Sequence, residues 1–71
     1  MRDRDEHLSW SRDRAREYLD AGDHQNAVTS MLSDLGKHPA WQGSRLLDTM
    51  AMLYMIEPTT ENARRIIEGF N

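Results

Sequence analysis

The sequence predicts an all-α protein, a small four-helix domain made of one helical hairpin and two shorter helices. Three observations lead there. Apolar residues recur at three- and four-residue spacing and nowhere alternate as a half-buried strand requires. Glycine and proline fall between the periodic stretches, at Gly22, Gly36, Pro39, Gly43 and Pro58, where helices stop. The chain has 71 residues, room for one domain at most, so residues 1–71 are read as a single helical unit with helices over about 5–21, 24–37, 45–56 and 60–68.

Helix one begins after a charge-alternating start, Met1 to Glu6. Leu8, Ser11, Ala15, Tyr18 and Leu19 share one face at helical spacing, while Trp10 falls on the flank with Arg14 and Glu17. Arg12, Asp13, Arg16 and Asp20 take the far side as a mixed-charge, solvated surface. Gly22 can adopt the positive φ that closes a helix. Asp23 directly after it can accept from the free N–H groups that open the next. A tight αα-hairpin follows.

Helix two buries Ala27, Val28, Met31, Leu32 and Leu35 and turns a polar stripe outward, Asn26, Ser30, Ser33 and Lys37. Residues Pro39 to Ser44 read as a connector, with Trp41 covering the hairpin end and Ser44 capping helix three. Helix three carries "LLDTMAMLYMI", apolar almost all round. A helix apolar on every side is buried on every side, and so short a chain has few helices to do it. Part of this surface is therefore expected to meet another copy. Met50, Met52, Leu53 and Met55 form the predicted oligomer interface, and a C2 dimer is the commonest solution. Thr59 or Thr60 caps helix four, whose inner stripe is Ala63, Ile66, Ile67 and Phe70.

Composition narrows the function. There is no cysteine, which excludes disulfides and thiolate metal sites, and small scaffolds without either lean on oligomerisation. The net charge of −3 gives no field to hold DNA, RNA or an anionic membrane. The longest apolar run, Met50 to Ile56, is far below the roughly 20 residues of a membrane span. His7, His24 and His38 lie too far apart in sequence for paired ligand spacing, so no metal and no cofactor are predicted. Ser30, Ser33, Asp34 and His38 contain the residue types of a nucleophilic triad. Nothing in the sequence supplies an oxyanion hole or a phosphate loop, so no catalytic residue is assigned and the chain is read as not an enzyme.

Binding chemistry is better represented. Trp10, Arg14 and Tyr18 lie one turn apart along helix one, and Asn26 and Ser30 sit on the polar stripe of helix two. Arg64, Arg65 and Phe70 gather on helix four. Arginine, aromatic rings and hydroxyls suit a protein contact, or the phosphate, base and ribose of a nucleotide. These eight residues are the candidate ligand or partner site.

Residues 11–39 resemble a single tetratricopeptide-like hairpin. Ala15, Tyr18, Gly22, Ala27, Met31 and Pro39 match that repeat's pattern, with small residues where the helices approach and large ones in the groove. Ser11, Arg14 and Asp34 depart from it, standing where a tryptophan, a leucine and a small residue are usual. The resemblance implies helix-turn-helix packing over about half the chain, not a repeat array, which needs about three repeats.

The whole chain is similar to a family of small, mostly uncharacterised bacteriophage and prophage proteins. The matching parts are Trp10, "RAREYLDAGD" at Arg14 to Asp23, "NAVTSMLSDLGKHP" at Asn26 to Pro39 and "RRIIEGFN" at Arg64 to Asn71; Ala40 to Thr60 departs most. The resemblance implies a non-enzymatic protein in the cytoplasm of a bacterial host that inhibits or redirects a host factor by contact, in counter-defence or host takeover. An oligomeric sponge for a defence-signalling nucleotide is the alternative, and an accessory dimer with neither role a further one.

Overall fold

Asp3 opens the first helix: its carboxylate accepts the Glu6 amide at 2.8 Å ahead of α1 (Arg4–Asp20), the N-cap bond that the charged start makes available. The computed structural model describes residues 3–69. Its other helices are α2 (His24–Gly36), α3 (Arg45–Ile56) and α4 (Thr60–Gly69), with no strand among the described residues. Each cap foreseen from the sequence is made. Gly22 has φ +79°, and Asp23 accepts the Asn26 amide at 3.2 Å. Ser44 accepts from Leu46 at 3.1 Å and Thr59 from Asn62 at 3.2 Å.

The hairpin of α1 and α2 is the most intimate pairing in the molecule. Ala15 and Ala27 are fully buried, and such small side chains let two helices close on one another. Leu19, Val28, Met31 and Leu35 fill the space between them. Trp41, almost fully buried, closes the core from the connector, and Arg4 stacks over its ring at 4.6 Å. Helix α4 packs Ala63 and Ile67 into the same core and touches α1, α2 and α3. Arg12 donates to the Ile67 carbonyl at 3.0 Å, and Arg16 forks onto Glu68, with Nε 3.1 Å from each carboxylate oxygen. These bonds tie α1 to the end of α4.

Helix α3 is held from one side only. Met50 is buried, and Leu47 and Tyr54 pack against the core, with Tyr54 hydroxyl 2.7 Å from His24 Nδ1. Asn62 on α4 donates to the carbonyls of Leu53 and Glu57, both at 2.9 Å. The outer side is bare: Met52 is 64% exposed and Met55 and Ile56 76% each. Two expectations change here. Met50, assigned to the oligomer interface, is core; Leu46 and Ile56 belong to the exposed set instead. Tyr18, which periodicity places on the apolar face of α1, is exposed.

Candidate functional site

Helical periodicity sets Trp10, Arg14 and Tyr18 in a row along α1, and the antiparallel course of α2 lays its polar stripe beside them. Between the two runs an open groove of about 270 Å³ is lined by Arg14, Tyr18, Asn26, Thr29, Ser30, Ser33, Asp34 and Lys37. Tyr18 stands as a ridge, because a second depression on its other side is lined by Arg14, Glu17 and Ala21.

The floor of the groove is a buried charge. Asp34 has only 3% of its side chain exposed. A carboxylate is that deep only when paired. Arg14 Nε donates to Oδ2 at 2.8 Å, Ser30 Oγ lies 3.5 Å from the same oxygen, and Lys37 Nζ is 3.7 Å from Oδ1. Arg14 also stacks on Trp10, 5.0 Å from the ring centre, an arrangement that suits a planar guanidinium. Its orientation is thus fixed from two sides while half of the side chain faces solvent.

Behind the groove the backbone of Asp34 is engaged as well. Its carbonyl accepts from His7 Nε2, which makes that nitrogen the protonated one. The His7 ring lies 5.3 Å from Trp10 and 4.9 Å from His38. His38 Nδ1 accepts the Ala40 amide at 3.0 Å. Of the residues that resembled a triad, Asp34 is paired with Arg14 and His38 Nδ1 is taken by the connector.

Of the sequence-predicted site, Arg14, Tyr18, Asn26 and Ser30 share this groove and Trp10 supports it. Asn26 is partly spent, because its side-chain amide donates to Asp23 at 2.6 Å in the cap of α2. Arg65 is elsewhere. It lines an apolar groove of about 350 Å³ between α3 and α4, with Leu46, Thr49, Met50, Leu53, Asn62 and Ile66. Arg64 is exposed on α4, where its charge adds slightly to the Arg16 hydrogen bond that holds the Glu68 carboxyl down. Phe70 lies outside the described residues.

Sequence reasoning missed Asp34 as a site residue. The signal was present, since Asp34 and Arg14 are two of the three departures from the repeat pattern, and the two departures are the two ends of one ion pair. Among the described residues, no three His, Asp or Glu side chains come close enough to hold a metal ion, and no helix is long and apolar enough to cross a membrane. No protein-family profile, no curated protein and no solved structure matches this chain.

Proposed function

We propose that this chain is a non-enzymatic binding protein that acts by protein contact, presenting the groove between α1 and α2 to its partner. The observation that carries this reading is the row Trp10–Arg14–Tyr18, whose central guanidinium is held by Asp34 below and Trp10 beside it. Tryptophan, tyrosine and arginine are the side chains that dominate protein interfaces, and a pre-set arginine loses little entropy on docking. The groove is open and shallow, whereas small-molecule sites bury most of their ligand. Asp34 also offsets the charge of Arg14, which weakens the case for a phosphate-bearing ligand over a polar protein surface.

The resemblance to small phage proteins supports a host factor in a bacterial cytoplasm as the partner, inhibited or redirected by occupancy. A homo-oligomer built through α3 leaves the hairpin groove free for it.

The test is capture of one host protein from bacterial lysate by the immobilised chain. Tyr18→Ser is expected to lose that protein, and Gln42→Ala, on the exposed connector, to retain it. A melting temperature raised by micromolar cyclic nucleotide, and not by any protein, would replace this reading with the nucleotide sponge.

A further inference from the structure

Helix α3 carries the broadest set of exposed apolar side chains among the described residues. Leu46 and Leu53 are about half exposed, and with Met52, Met55 and Ile56 they make five large apolar side chains on one helix of 12 residues. At on the order of 100 Å² each, they reach the upper end of the roughly 300–600 Å² patches found on monomers. The adjoining groove, with Ile66 on its α4 wall, continues the same surface.

The face has an order that selects its occupant. Leu46, Thr49, Leu53 and Ile56 follow one another at steps of three, four and three residues, the spacing of a helix–helix seam. The seam is symmetric about Ala51, so turning a second α3 end for end sets Leu46 against Ile56 and Thr49 against Leu53. On α3 itself charge sits only at the ends and edge of the face, while Arg65 of α4 lines the adjoining groove. Arg45 begins the helix, Glu57 caps its C-terminus, and both are exposed with no ion pair among the described residues. Asp48 lies at the rim of the face. Parallel pairing sets Arg45, Asp48 and Glu57 each beside its own like charge. Antiparallel pairing brings the Arg45 end to the Glu57 end, where the last-turn carbonyls add negative potential.

We propose that the outer face of α3 is the contact between two copies of this chain, paired antiparallel about a two-fold axis that crosses the seam at the level of Ala51. It deepens the oligomer invoked above by naming which face pairs and in which direction. The pairing is isologous, as a C2 dimer requires, and it gives α3 the second side of cover that the described residues do not supply.

The chain lacks cysteine, so introduced thiols report without background. Under antiparallel pairing two Leu46 positions lie about 15 Å apart along the axis, too far for a disulfide. Leu46→Cys alone is expected not to cross-link, whereas a mixture of Leu46→Cys and Ile56→Cys chains gives a mixed disulfide. Light scattering of the unmodified protein at tens of micromolar should give twice the 8.3 kDa chain mass. Leu53→Asp should return it to 8.3 kDa with helical circular dichroism retained. Arg45→Glu alone should weaken the dimer at least fivefold, and the double change Arg45→Glu with Glu57→Arg should restore it. A Leu46→Cys homodisulfide, a wild-type monomer throughout, or a dimer indifferent to Leu53→Asp overturns the proposal. Each readout is independent of host-protein capture through Tyr18, so the two readings fail separately.

Discussion

The hairpin and helix α3 are built on opposite terms. In α1 and α2, nearly every large apolar side chain has a partner within the chain, and the one deep charge, Asp34, is paired on arrival. In α3, three of the five methionines of the sequence fall on one helix, and two of those face outward. The contrast teaches that the core is centred on the hairpin, while α3 adds Met50 to that core and leaves its other flank exposed. Stability is invested in the first, and surface is offered by the second.

The largest effect expected from breaking this contrast is a hairpin truncation. Leu35→Ala removes a fully buried side chain and should cost about 3 kcal/mol in urea denaturation. Met55→Ala, at 76% exposure, should move the same measurement in dilute protein by less than about 0.5 kcal/mol. If the two costs are alike, the division between fold and surface is wrong. Next comes the charge in the groove. Arg14→Ala leaves the Asp34 carboxylate buried with only Lys37 and Ser30 near it, a loss of about 2 kcal/mol given the half-exposed arginine. The double change Arg14→Leu with Asp34→Ala restores the apolar repeat pattern and should recover most of that loss in the same titration.

A smaller gain should come from Ser11. It is fully buried, and its hydroxyl has no hydrogen-bond partner among the described residues. Ser11→Ala should therefore raise stability by about 1 kcal/mol. The smallest effect is electrostatic. Hydrogen bonding from Arg16 holds the Glu68 carboxyl below its usual value; burial, the next largest influence, opposes it, and the charges of Arg16, Arg12 and Arg64 add to the lowering. Glu68 then binds its proton less readily folded than unfolded, so its contribution is complete above the unfolded value and lost as pH falls through the folded one. Arg16, whose own value is raised chiefly by the same hydrogen bond, stays charged throughout. An acid melting series should show this loss, and Glu68→Gln should flatten it.

Much of the fold was legible because it is local. Helix ends fall within one residue of expectation, since Gly22, Asp23, Ser44 and Thr59 act on the nearest turn. The candidate groove was legible in its residues but not in its floor. A carboxylate at the end of a polar stripe reads as solvated, and only the approach of α1 decides that Asp34 is covered and that Arg14 reaches it. Helix α3 was ambiguous for a different reason. With apolar residues on all sides, periodicity cannot say which flank meets the core, so it does not separate the buried Met50 from the exposed Leu46 and Ile56.

Asn62 gives the uncovered helix its timing. A last turn with no packing on its outer side ordinarily frays and must be ordered by whatever binds it. Here one side-chain amide holds the carbonyls of Leu53 and Glu57 from beneath, so the turn is set before any encounter. In the antiparallel pairing proposed above, this face would meet its partner as a finished template, with docking governed by collision and orientation instead of by folding.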